Sequence, residues 1–196
     1  MLLRRLGHAY ADISTTMSHA CAGATAAGII AAADVGCQTW LQPDEQHGID
    51  WRRTIGLTVF AGWHYGGPGK FLYLGYDRVF QRAGSDFRRA ALSVVADVGA
   101  HTPFLLLPSF YVITGAFKEQ SLQQSLEQLQ REWLVASFGS AAFWTPVCFL
   151  NFRVVTQHSR IFVLSCASFV DKTLLSYWSN RGRHRERLQR KDGDRS

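Results

Sequence analysis

Asp34, Asp97 and Arg160 stand where their surroundings make a charge conspicuous. Asp34 closes an uncharged run from Ile13 to Ala33, Asp97 interrupts another from Ala90 to Phe117, and Arg160 follows a third from Trp133 to Phe152, which holds Asn151. In hydrocarbon such groups are costly; they face a bundle interior, pair with one another or line water. Asn151 offers donors and an acceptor suited to bonds between helices. Two kinds of chemistry are open to the set: polar staples that hold helices together, or the wall of a solute path. Asp97 and Arg160 are one conceivable pair. Asp171 lies eleven residues after Arg160, about 16 Å along a helix and too far for a direct pair.

Enzymatic chemistry finds no foothold. There is no phosphate loop, no GxSxG and no HExxH, the motifs that would announce a phosphoryl, acyl or metal-dependent reaction. His64, His101 and His158 have no Cys or carboxylate companions at a metal-ligand spacing and read as structural. Cys21, Cys37, Cys148 and Cys166 form no CxxC and sit in apolar stretches, so buried thiols are expected, with no disulfide framework or zinc site. No catalytic residue, metal or cofactor is expected.

The elements that must position these residues follow from the uncharged stretches. The chain has 196 residues, 47% hydrophobic and only 18% charged, with a mean hydropathy of −0.05 lowered by its polar end. A helix needs about 20 mostly apolar residues to cross a hydrocarbon core. Four stretches qualify: Ile13 to Ala33; Thr54 to Gly69, continuing past Lys70 to Tyr76; Ala90 to Phe117; and Trp133 to Phe152. The expected fold is all-α, a multi-pass transmembrane bundle of about four spanning helices. Val154 to Trp178 is long enough for a fifth but holds Arg160, Asp171 and Lys172, and is expected to pack against the bundle or at its interface.

The first stretch is rich in Ala, Gly, Ser and Thr, which allow the close backbone approach that drives helices together in lipid. Gly23, Ala27 and Ala31 share a face. Lys118 to Glu132 differs: Leu122, Leu126, Leu129 and Trp133 recur at helical spacing opposite Gln, Glu and Ser, predicting an amphipathic helix that lies on the membrane surface or caps the bundle. Ser121 and Gln124 form a capping-box pattern at its start. Pro68, Pro103, Pro108 and Pro146 are expected to kink their helices and free backbone carbonyls.

Residues 1–180 are read as one transmembrane domain and 181–196 as a basic tail with seven Arg or Lys. With four crossings, Arg4, Arg5, the arginines between Arg78 and Arg89, and the tail share a side, matching a positive-inside pattern. The plain reading of the tail is a disordered, solvated segment and the sharper one contact with anionic lipid head groups; the lack of interleaved aromatics argues against nucleic acid.

These residues carry a resemblance. The chain from about Ala33 to Trp178 resembles the Mpv-seventeen and peroxisomal membrane protein family. Ala33-Asp34 with Gln38 stands for that family's Gly-Asp and Gln, and Asp50-Trp51-Arg52-Arg53-Thr54 preserves its Asp-x-x-Arg-Thr. Gly67-Pro68 matches its Gly-Pro pair, and Asp97 and Pro103 match its third helix without the usual Gln. Trp144, a displaced Pro146, Asn151-Phe152, Val155, Arg160 and Leu175-Ser176 follow its closing signature, with Cys148 and Thr156 where Gln and Pro are usual. The resemblance implies small four-helix proteins of the mitochondrial inner membrane or the peroxisome, and a channel or solute-permeability role. A structural accessory subunit of a larger respiratory or ATP-synthase complex is the alternative, since a scaffold needs helix packing more than pore polarity. Membrane lipids are the expected partners, together with inner-membrane subunits or further copies of the chain. Asp34, Gln38, Asp50, Arg53, Asp97, Asn151 and Arg160 are the resulting packing or pore candidates, and Pro68, Pro103 and Pro146 the kink candidates. Met1 to Ala11 carries Arg4 and Arg5 and no acid, the look of a minimal mitochondrial import signal. Gly193 to Ser196 is not a peroxisomal tripeptide.

Overall fold

Helix runs through almost all of residues 18–41 and 48–171, the part of the chain described by the computed structural model, and no strand occurs among these residues. The expected import signal and the basic tail lie outside them.

Small residues open the fold. Helix α1, Ser18–Gly36, buries Ala22, Ala26, Ile30 and Ala33 along one stripe and continues through a π turn, Cys37–Leu41. Helix α2, Trp51–Gly66, starts at Asp50, whose side chain accepts from the Arg53 amide at 3.0 Å. The two run antiparallel. His19 Nδ1–H donates to Gly66 O at 2.9 Å near one end, and Thr54 donates to Asp34 near the other. Between them the backbones touch: a Cβ at Gly23 would meet Gly62 O at 2.7 Å, and one at Gly66 would meet Gly23 Cα at 3.0 Å. Gly62 and Gly66 form the GxxxG pattern that α1 lacks, so it is the partner helix that supplies the groove.

The stretch expected as the second span is two helices in line. Helix α3, Pro68–Phe80, follows α2 at Gly67, whose φ of −118° and ψ of −109° break the helical path. The ladder still carries across, because Gly67 N–H donates to Trp63 O and Phe71 N–H to Gly67 O. Pro68 takes the first-turn position that needs no amide hydrogen. A side chain at residue 67 would meet Trp63 O at 2.8 Å, which explains the glycine.

Ser85 caps helix α4, Asp86–Ala96, which passes without interruption into a π segment, Asp97–Leu106, and then helix α5, Leu107–Phe117. Pro103 sits inside the wide-turned stretch, and the indole N–H of Trp133 bonds its carbonyl at 2.8 Å. The capping box at Ser121 and Gln124 is present as expected and starts helix α6, Leu122–Val154. A 3₁₀ turn, Gln157–Ser159, then leads into helix α7, described over 160–171 and packed on the bundle as expected.

The amphipathic surface helix expected over Lys118 to Glu132 is not separate. It forms the first turns of α6, since no breaker intervenes before the apolar run takes over. Leu122 and Leu126 face outward, and the residue turned inward is Ser125, beside Gly115. At 33 residues, α6 is about 50 Å long against a hydrocarbon core of about 30 Å. Pro146 lies within α6 without ending it. Three continuous helical runs, 19–40, 86–117 and 122–154, are long and apolar enough to cross a membrane; α2 and α3 reach that length only together.

The packing pairs complete an up-down order. Phe60 meets Phe110 and His64 meets His101, so the helix through α5 runs back along α2. Phe87 meets Phe149 and Tyr111 bonds Glu132, so α6 returns along it. Trp40, Val95, Phe104 and Val135 point outward, as a lipid-facing surface requires.

Candidate functional site

Polar residues gather at three levels of the bundle. The first cluster ties the end of α1 to the start of α2. Asp34, 1% exposed, accepts from Gln38 at 2.7 Å and from Thr54 at 2.8 Å through Oδ2, while its Oδ1 pairs with Arg53 at 2.8 Å. Gln38 turns its carbonyl oxygen to the Asp50 amide at 2.7 Å. Asp34, Gln38, Asp50 and Arg53, read from the sequence as candidates, are therefore one structure, and Thr54 belongs with them. The π turn at Cys37–Leu41 carries Gln38 inward, an example of wide turns re-aiming side chains. Gln38 and Thr54 donate to the carboxylate and Arg53 balances its charge, which suits a staple.

The second cluster lies at the opposite end. Arg160 donates to Asp77 at 2.7 Å and stacks over Phe152 with 5.2 Å to the ring centre. The Asp97–Arg160 pair conceivable from sequence does not form; Asp77, on α3, is the residue that reaches Arg160. Asn151 is buried, yet its amide makes no hydrogen bond among the described residues, so the interhelical bond expected of it is absent there.

The third cluster is buried as well. Asp97 Oδ1 accepts from His101 Nδ1 at 2.6 Å, and Asp97 Oδ2 faces the Cys148 thiol at 3.5 Å. His101 Nε2 stands 3.2 Å from His64 Nε2, with the two rings stacked 5.0 Å apart and 6° from parallel. His64 Nδ1, at the far end, has no partner among the described residues. The sequence reading of His64 and His101 as companionless is thus corrected. The signal was available: Asp97 and His101 are four residues apart, neighbours on one helical face. His64 could not be found that way, because its partner comes from another helix.

Beside this cluster the helices leave a cavity of about 150 Å³ at their common centre. Every span contributes to its wall, from Ile30 on α1 to Ser168 and Asp171 on α7. Aromatic, aliphatic and polar side chains share it: Tyr65, Tyr73, Phe110 and Trp144 are among the aromatics, and Asp97, Asp171 and Cys148 bring ionisable groups. Among the described residues no group of His, Cys, Asp and Glu is arranged to hold a metal ion. What the arrangement can do is hold a small guest among aromatic side chains and carboxylates.

Comparison with known proteins places these features. The model of the Mpv17 / PMP22 family matches residues 115–176, a stretch that contains α6, Cys148, Asn151, Arg160 and Asp171. A curated relative, the mitochondrial inner membrane protein Mpv17 of Danio rerio, is 28% identical over 75 residues, 38% of this chain. The matched stretch spans 42% of that relative's length. No solved structure matches the chain.

Proposed function

The chain belongs to the Mpv17 / PMP22 family, and from that premise we propose that it is a multi-pass protein of the mitochondrial inner membrane that passes small solutes. The central cavity carries this reading. A bundle built only for packing gains nothing from a void, since each vacant site forfeits dispersion contacts. This one is walled by all the spanning segments and holds two carboxylates, Asp97 and Asp171, a thiol and hydroxyls as well as aromatic rings. The inner-membrane location is supported by the name of the Danio rerio relative. The test is conductance of the purified full-length protein in planar bilayers, expected as discrete openings. Silence in the bilayer, together with co-purification in a respiratory or ATP-synthase assembly, would overturn it. Protease protection of the tagged chain in fractionated mitochondria and peroxisomes checks the location.

A second reading, an accessory subunit of a larger membrane complex, is favoured by α6. Of its 33 residues only Ser125, Cys148, Asn151 and Phe152 are buried, leaving a long apolar face for lipid or for a neighbour.

A further inference from the structure

His64, His101 and Asp97 are more than three buried polar residues; they form a line. Only one hydrogen can lie between the two Nε2 atoms 3.2 Å apart, since one nitrogen must donate and the other accept. With both imidazoles neutral, His64 Nε2–H donates to His101 Nε2, His101 Nδ1–H donates to Asp97, and one negative charge remains on the carboxylate. None of the described residues lining the cavity is Lys or Arg, and the buried Arg160 is engaged by Asp77. A buried charge in a bilayer is costly. The site can meet that cost in two ways.

The first is a proton. A proton accepted at His64 Nδ1 releases the Nε2 proton to His101 Nε2, and His101 passes its Nδ1 proton to Asp97 Oδ1, leaving a neutral carboxyl. The second is a cation in the cavity. Its wall includes the aromatic side chains Tyr65, Tyr73, Phe110 and Trp144, a residue type whose ring faces attract cations, and a volume of about 150 Å³ is one that holds a benzene-sized guest. The groups facing Asp97 from other helices are Tyr65 on α2, Tyr73 and Tyr76 on α3, Cys148 on α6 and Asp171 on α7. The tyrosines and the thiol carry no charge near neutral pH, and none of these groups is a cation.

We propose that the cavity is a binding site for a small organic ammonium ion, taken up in exchange for the proton that reaches Asp97 through His64 and His101. It deepens the permeability reading, on which its meaning as a transport site rests, by naming a class of solute. The test measures binding of radiolabelled tetramethylammonium to the full-length protein in lipid nanodiscs, with a pH indicator following protons. The expected result is saturable binding that tightens as pH rises and releases close to one proton per cation. Asp97→Asn is expected to weaken binding at least about tenfold and to abolish the release. Trp144→Leu is expected to weaken binding while preserving the protons released per bound cation, and keeps the test decisive if the Asp97 variant does not fold. Absence of saturable binding, or binding that neither pH nor either variant changes, would overturn the proposal. Conductance without ammonium binding would leave the permeability reading standing and remove this one; binding without conductance would do the reverse.

Discussion

At the scale of single residues, the Asp34 staple and the Asp97 line differ in how they are satisfied. Asp34 has three donors around it, and its charge is matched by Arg53, about a third of whose side chain reaches solvent. Removing one partner of a buried pair leaves the other charge uncompensated, typically at 3–5 kcal/mol; the partial exposure of Arg53 brings the expected loss nearer about 2 kcal/mol. Arg53→Gln should therefore lower thermal stability in nanodiscs, and Arg53→Lys, which keeps the charge, should lower it less. Equal losses in the two variants would remove the ion-pair account. These residues were legible in the sequence because Asp-x-x-Arg-Thr and the Asp34 to Gln38 interval are local patterns. His64 was not, because its partner lies 37 residues away and no local spacing encodes which helices meet.

Glycine placement sets the behaviour of the elements. The facing backbones of α1 and α2 leave no room for a Cβ at Gly23, where it would lie 2.7 Å from Gly62 O. A backbone oxygen cannot swing aside, so Gly23→Ala should force the helices apart, at the roughly 1–3 kcal/mol typical of overpacking. Gly28 meets nothing within 4 Å, and Gly28→Ala should raise stability by up to about 1 kcal/mol through helix propensity. Thermal unfolding of the two variants side by side checks this; a similar fall in both would remove the close-contact account. The small-residue character of α1 was readable beforehand, and the tight packing it implies is present. The break at Gly67 and the π segment were less so. Prolines announced disturbance at 68 and 103, yet only the neighbouring helices decide whether a proline bends, widens or is absorbed, as Pro146 is in α6.

For the whole molecule, the order of spans predicts which surfaces share a side. Four crossings put the turn over residues 81–85, which holds Arg82, opposite the capped start of α6. A cysteine at Arg82 and one at Gln123 should each react with a water-soluble maleimide, from opposite sides of an oriented vesicle, while one at Val135 should stay unlabelled in lipid. Labelling of both polar positions from one side would reduce the number of crossings. The merging of the predicted surface helix with the last span has the same root as the difficulty of counting spans. Amphipathic periodicity describes a helix's faces but carries no information on whether its end is free or continuous with the next apolar run.

The glycine contact between α1 and α2 has a mechanical corollary. Two helices touching backbone to backbone, riveted at Asp34 and Thr54 and again at His19 and Gly66, have no slack in which to slide. They form the stator of the molecule. Another wall of the cavity, α6, is fastened to the π segment by side chains that can change partners, among them the Trp133 indole on Pro103 and the Cys148 thiol on Asp97. Any shutter over the cavity therefore swings on that side, and a cross-link between α1 and α2 would leave its motion untouched while one between α5 and α6 would arrest it.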